Sequence, residues 1–316
     1  MPTVSVIIPT YNRPEFLRRA MRSVLNQSVI DLELIVVQNG QGSSGREVVE
    51  EFQRTDSRVR YLYQEEGDGG RARNLGILEA RSPYVAFLDD DDEWIPTKLE
   101  KQIAVLDQHP DVGLVTCRAW YIDEAGAILA EKPDFRDHPS FKTLVTEGCY
   151  IWSLSSIVVR KTCFDRVGLF EARYQIANDY EFYLRVAQAY RMVTVQEPLF
   201  RSQWHRASLS RDDGWTGRET LSILKALRPA PELGVTHRTI AERLARVYYW
   251  MATNAMGAAR FGEAARSYLG ALRHDPFVGA KIRWGRITHP MYRTVRPYGA
   301  LVVSGFMSVL PRGKKA

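Results

Sequence analysis

Four short β-branched runs, each followed by a segment with helical spacing, fill the first third of this chain and narrow its folds to very few. The runs are VSVIIPTYN, LELIVVQNG, RVRYLYQ and YVAFL. Between them lie EFLRRAMRSVLNQ, REVVEEFQR and GDGGRARNLGILEA, and the last run leads on to PTKLEKQIAVLDQH. In the first helical segment Phe16, Leu17, Ala20, Met21, Val24 and Leu25 recur on one face. Pro96 sits where a helix tolerates proline, near its first turn. Strand and helix alternate in units of about 30 residues, the length of a strand-helix-strand crossover. Such units build a parallel sheet with right-handed connections. Ligands of these sheets bind beyond the carboxyl ends of the strands. Pro9–Asn12, Gln38–Gly40 and Asp89–Asp92 all stand at such ends and are expected to converge on one edge.

From residue 112 the rhythm changes. VGLVTCRAWYID and GAILAE read as antiparallel strands around a turn at Glu124–Gly126. SLSSIVVRK reads as a further strand, NDYEFYLRVAQAY as a helix and MVTVQEPLFRSQWH as a last strand. After Trp215 the pattern is helical, which divides the chain into a domain over 1–215 and a helical extension over 216–316. Charge divides it the same way: residues 216–316 hold 17 Lys and Arg against 5 Asp and Glu, a net of +12 in a chain whose total is +6, leaving −6 for residues 1–215. No run of about 20 apolar residues is present, so no spanning helix is expected. No basic-then-apolar leader precedes the first strand. Cys117, Cys149 and Cys163 show no paired spacing and read as buried thiols of a reducing compartment, which points to the cytoplasm.

The fourth strand stops in four consecutive carboxylates, Asp89 to Asp92. If the strand runs on, Asp89 and Asp91 face one side and Asp90 and Asp92 the other. Carboxylates together with substrate phosphate oxygens form a usual site for Mg2+ or Mn2+, which would offset the charge. A solvated acidic turn capping the next helix is the other reading of such a run.

Context favours the cation. SVIIPTYNRPEFLRRAMRSVLNQS, LELIVVQNG, GGRARNLGI, YVAFLDDDDEWIPTKLEKQ and NDYEFYLR, in this order and spacing, resemble the inverting glycosyltransferases of family 2. The resemblance covers residues 3–210. It implies the GT-A fold: a Rossmann-like α/β domain with a mostly parallel sheet and a smaller antiparallel, acceptor-side part. It also implies transfer of a sugar from a nucleotide-sugar donor to a hydroxyl. Asp89-x-Asp91 matches the DxD signature, with Asp89 near ribose and metal and Asp91 ligating Mn2+ or Mg2+. Asp90 is counted with the donor-binding residues, although it and Asp92 also read as local structural carboxylates. Pro9, Thr10 and Tyr11 match the segment along the nucleoside, and Arg73 and Asn74 the ARN of the nucleotide-side helix. Asp179 takes the position of the general base, with Asn178 in place of the acid often before it. His205 is the candidate third metal ligand.

One departure stands out. Gln38 and Asn39 replace two aspartates that usually end the second strand. The Asn39 oxygen can still accept from the N–H of uracil, thymine or guanine, without charge assistance, so UDP-, dTDP- and GDP-sugars all stay open. Trp94, Trp152 and Trp204 are available for sugar stacking or for the core. The acceptor is expected to be a saccharide or lipid-linked saccharide of a bacterial surface polymer or glycolipid. A nucleotidyltransferase is the alternative, but PTYNRPEF has no glycine-rich loop; a non-catalytic nucleotide-sugar-binding scaffold is another.

In the extension, residues 247–276 resemble one tetratricopeptide unit, with Tyr248, Phe261, Ala264, Tyr268, Ala271 and Pro276 at its signature positions. A single such hairpin needs a neighbour to cover its face. Eight Lys and Arg and no acid follow residue 275, around the uncharged segment Pro297–Pro311. That pattern suits an anionic membrane surface, at the inner face of the cell membrane, as well as a solvated tail. Nucleic acid is not expected, because no recognition motif accompanies the charge.

Overall fold

The computed structural model describes residues 1–42, 44–123, 127–131, 139–151, 153–203 and 213–279. Its contacts divide the chain into two compact units, Met1–Ser208 and Leu209–Ala316.

The first unit begins β1 (Val4–Thr10), α1 (Pro14–Leu25), β2 (Leu32–Asn39), α2 (Ser44–Gln53), β3 (Val59–Gln64), α3 (Gly69–Glu79), β4 (Tyr84–Phe87). It continues β5 (Asp92–Trp94), α4 (Lys98–Gln108), β6 (Val112–Ile122), β7 (Ile128–Glu131), α5 (Phe141–Glu147), β8 (Val158–Arg160), α6 (Thr162–Val167), α7 (Asn178–Ala189) and β9 (Arg191–Gln203). Among the described residues these strands form one sheet in the order β3-β2-β1-β4-β8-β6-β9-β5, with β7 paired to β6. The first four strands are parallel, as their spacing predicts. β8 is antiparallel to both β4 and β6 and joins the parallel half to the rest. β6 and β7 are antiparallel, as expected, whereas β9 runs parallel to β6.

The strand ends are level. Thr10 pairs with Gln38 across β1 and β2, and the Leu88 N–H donates to the Ile7 carbonyl, so the aspartates leave β4 at the same height. On one face Leu17, Met21 and Val24 of α1, with Leu99, Ile103 and Leu106 of α4, cover Val6, Ile8, Leu34 and Val36. On the other, α3 approaches β1 closely. A Cβ on Gly76 would stand 2.6 Å from the Ile7 side chain, so only glycine admits this contact. Beside it Phe87, Phe164, Phe170 and Phe182 form an aromatic cluster, with Phe170 and Phe182 centroids 4.7 Å apart. Phe182 lies three residues after Asp179 on α7, so this packing sets where the first turn of α7 stands.

Several details depart from the expectation. The aspartates do not extend β4. They form a tight turn closed by Asp92 N–H to Asp89 C=O at 3.0 Å, and the chain re-enters the sheet as β5 on strand β9. Three residues with two acids carry no strand signal; β9 supplies the ladder. SLSSIVVRK is a 3₁₀ turn (Leu154–Ser156) followed by a three-residue strand, because Ser153 caps that turn by accepting the Ser155 N–H. Helices α5 and α6 are too short to carry a periodic pattern. The Glu124–Gly126 turn lies outside the described residues.

The second unit holds α8 (Asp213–Ala226), α9 (His237–Gly257) and α10 (Phe261–His274). Thr236 and Thr239 form a capping box at the start of α9. α9 and α10 meet through Ala245, Ala271 and Val278, flanked by Tyr248 and Tyr249. A Cβ on Gly270 would come 2.8 Å from the Tyr248 ring. Of the tetratricopeptide positions, Ala264, Tyr268 and Ala271 are buried and Phe261 is 64% exposed. The basic tail and Pro297–Pro311 lie outside the described residues. Among the described residues no helix is long and apolar enough to cross a membrane, and Cys117, Cys149 and Cys163 are not joined by disulfides.

Candidate functional site

The carboxyl ends of β1 and β4 and the first turns of α3 and α7 surround the four aspartates. Each carboxylate has a compensating partner, and two of these partners are shared. The Arg73 Nη2 donates to Asp89 Oδ1 at 2.7 Å. The Asp89 backbone N–H donates to Ser155 Oγ at 3.0 Å. The Ser153 hydroxyl stands 3.3 Å from both Asp89 Oδ2 and Asp92 Oδ2 and shares its one proton between them. Asp90 is buried; it accepts from the Thr10 hydroxyl at 2.8 Å and from Arg13 at 3.3 Å. The same Arg13 nitrogen reaches Asp91 Oδ2 at 3.0 Å. Burial pushes the Asp90 carboxyl up to about 6 against the help of Thr10 and Arg13.

Asp90 and Thr10 therefore satisfy one another inside the turn. In this structure that contact holds the turn's shape. Asn74 also makes internal contacts. Its Nδ2 donates to the Phe170 carbonyl at 2.8 Å and its Oδ1 accepts the Phe170 N–H at 2.9 Å, so the amide clasps α3 to the loop before α7. Pro9 sits in the β1 ladder opposite Val37. Tyr11 is 54% exposed. Trp94 is core: its indole N–H donates to the Ser155 carbonyl and the Lys98 ammonium lies 4.1 Å from its ring centroid. His205, Trp152 and Trp204 lie outside the described residues.

Asp179 stands in the first turn of α7, half-buried, and accepts the Tyr180 N–H at 2.6 Å. Burial raises its carboxyl to about 6; the Tyr180 N–H and Arg73 oppose this, while Asp89 adds to it. Arg73 is thus shared electrostatically between Asp89 and Asp179. Glu181 turns away and pairs with Arg185 at 2.7 Å. Arg185 in turn donates to the Gly168 and Leu169 carbonyls at 3.1 and 2.7 Å.

Sequence reasoning missed three contributors. Arg13 follows β1 directly, but nothing local marks it as the partner of acids some eighty residues away. The Ser153–Ser155 pair sits in a segment that reads as strand. Tyr183 lies one turn after Asp179, and its fully buried hydroxyl has no partner among the described residues. Burial, then the charge of Asp179, holds that phenol well above its usual range. The need for compensating charge was the one usable signal; the identities were not.

At the end of β2 the amides behave differently from each other. Gln38 is buried, with its Oε1 unpaired among the described residues. Gly45 makes room for it: a Cβ there would stand 2.0 Å from that oxygen. Asn39 is half-buried and its Oδ1 accepts the Asp68 N–H at 2.8 Å and the Gln64 Nε2–H at 3.3 Å.

As a metal site, Asp89 and Asp91 offer carboxylate oxygens of the type that hard divalent cations take, completed by phosphate and water. Both are partly exposed, and both are balanced by arginines, Asp91 by the half-exposed Arg13 and Asp89 by Arg73. Among the described residues no cluster of three or more His, Cys, Asp and Glu is poised for a metal. The donor set fits an ion shared with a phosphate ligand, not one caged by protein.

Residues 5–150 match the family described as glycosyl transferase family 2. MJ1057 of Methanocaldococcus jannaschii, named an uncharacterized glycosyltransferase, is 30% identical over 205 residues, 63% of this chain and 70% of its own. Among solved structures, residues 1–349 of S. aureus TarS in complex with UDP-GlcNAc superpose with a TM-score of 0.69 at 17% identity, over 97% of this chain and 92% of that one. The mannosyltransferase PcManGT of Pyrobaculum calidifontis, in complex with GDP-Man and Mn2+, gives a TM-score of 0.52 at 16% identity, over 98% and 81%. At these identities the likeness to both structures is one of fold, the mixed α/β sheet of GT-A enzymes.

Proposed function

Because this chain belongs to glycosyltransferase family 2 and is a glycosyltransferase, we propose that it transfers a sugar from a nucleoside-diphosphate sugar to an acceptor hydroxyl in one inverting displacement, with Asp179 as the general base. The observation that carries this is the meeting of Asp179, Arg73 and Asp89 at the carboxyl edge of the sheet. In the displacement the acceptor oxygen forms its bond to the anomeric carbon from the face opposite the leaving group. The bond from that carbon to the diphosphate oxygen breaks and its electron pair leaves with the nucleoside diphosphate. The proton of the attacking hydroxyl passes to a carboxylate oxygen of Asp179. A single displacement inverts the anomeric configuration. A carboxyl held near 6 is ionised at neutral pH yet basic enough to share that proton.

Asp91, with Asp89, is proposed to hold Mn2+ or Mg2+, which would supply charge neutralisation for the diphosphate. Arg73 would stand ready at the same charge. The donors named for the fold neighbours, UDP-GlcNAc and GDP-Man, support a nucleotide sugar here but not a particular base. The acceptor is proposed to be a saccharide or lipid-linked saccharide. Attachment to the inner membrane face through the basic tail is proposed from sequence alone.

The test is Asp179→Asn. Turnover should fall by roughly two to four decades, the usual worth of a general base, while donor affinity holds. In the wild-type protein kcat/KM should fall as pH drops through about 6, because only the ionised carboxylate takes a proton. A variant that keeps most of its turnover and this acid limb would assign the proton to another group.

A further inference from the structure

The end of β2 is built to meet a ligand with a hydrogen-bond donor. The Asn39 side-chain oxygen accepts the Asp68 backbone N–H at 2.8 Å, and Gln64 Nε2, whose two protons are shared among three acceptors, lies 3.3 Å from it. The orientation of this amide is not free. Turned over, its NH2 would face the Asp68 N–H, donor against donor. Gln64 is locked in the same way, because its Nε2 also donates to the Glu66 and Asp68 carbonyls. Backbone groups thus fix both amides, and the Asn39 Nδ2 forms no hydrogen bond among the described residues. It is the one polar atom of this side chain left for a ligand.

Its surroundings suit a flat ring. Gly40, at φ 98°, follows Asn39 immediately. A Cβ on Gly40 would stand 3.1 Å from the Tyr11 ring and 3.7 Å from Gly67, so glycines form the floor beside an exposed aromatic ring. Gln38 cannot serve in place of Asn39, since its side chain is sealed beneath the floor.

The geometry points to Asn39 as a donor to the nucleobase, which selects a ring whose N3, between its exocyclic groups, is an acceptor. Cytosine, with N3 bare, fits; uracil, with an N3–H at the same place, sets donor against donor. A carboxylate at position 39 would do the reverse, since one oxygen could keep the Asp68 N–H and the other accept from N3–H. In Asn39 the amide NH2, not the oxygen, is thus set toward the base. This inference rests on the donor-site reading above.

The experiment is calorimetry of the full chain with CDP and with UDP, each with Mn2+, on wild type, Asn39→Asp and Asn39→Ala. One hydrogen bond is worth about tenfold in affinity. Wild type should bind CDP about tenfold more tightly than UDP. Asn39→Asp should move the ratio toward UDP by about tenfold or more. Asn39→Ala should weaken CDP about tenfold and leave UDP nearly unchanged, and it serves if the aspartate variant does not fold. A ratio that stays within about threefold across the variants, or moves toward CDP in Asn39→Asp, overturns the inference while leaving the donor site intact. If neither nucleotide binds any of the proteins, the donor-site reading fails and this inference falls with it.

Discussion

Two strand ends, a few residues from each other across β1, solve opposite problems. β4 ends in four carboxylates and β2 in two neutral amides. The carboxylates are balanced by side chains: Arg73 and Arg13 on Asp89, Asp90 and Asp91, and the hydroxyls of Thr10 and Ser153. The amide of Asn39 is held by backbone through Asp68, with Gln64 pinned by backbone beside it. The Arg13 side chain is half exposed and can leave Asp91 at little cost, because exposed pairs contribute little stability. Backbone donors do not move without unfolding a turn. The β4 end is therefore the place where charge can be exchanged when a ligand arrives. The β2 end is preorganised, and its polarity is set before any ligand binds.

The largest effect that separates the two ends should come from Asp91→Asn. If that end exchanges its arginine for a cation, Mn2+ should no longer improve UDP affinity, a loss of tenfold or more by calorimetry. Equal Mn2+ dependence in variant and wild type would remove Asp91 from the metal. Next, Arg73→Ala takes the shared cation from Asp89 and Asp179. Arg73 favours the ionised form of Asp179, so its loss should carry that carboxyl upward. The acid limb of kcat/KM should move to higher pH, and activity should suffer more at pH 6 than at pH 8. An unmoved limb would show that Arg73 and the base are independent.

At the rigid end, Gly45→Ala sets a methyl group against the buried Gln38 oxygen and within 3.2 Å of the Thr10 methyl. Overpacking of this kind costs about 1–3 kcal/mol, to be read from urea melts. A neutral substitution would mean that the β2 end yields and is no more rigid than the β4 end. The smallest effect should be that of Arg13→Gln on stability. Arg13 is 49% exposed, its contact to buried Asp90 is the longer one at 3.3 Å, and exposed pairs such as Arg13–Asp91 contribute under about 1 kcal/mol. A larger loss would make Arg13 a structural member of the turn and blunt the difference between the two ends.

Periodicity and local turn chemistry determined a good part of this protein. The β1–β4 alternation, the level strand ends, the helix carrying Asp179 and the acidic stretch after β4 were all legible, because each depends on neighbours within a few residues or on a repeat of about 30. The tertiary structure decided what each polar group faces. Asp90 and Thr10, eighty residues apart, close on one another in the buried turn. Asn74 is spent on Phe170, and Arg13 spans to Asp91. β5 exists only because β9 lies beside it. Above all, the sequence shows an asparagine at the end of β2 but not which end of its amide is free. That depends on the Asp68 N–H, which another loop brings to it. A side chain's chemistry is written in its residue type, but whether it donates or accepts is settled by the partners that reach it first.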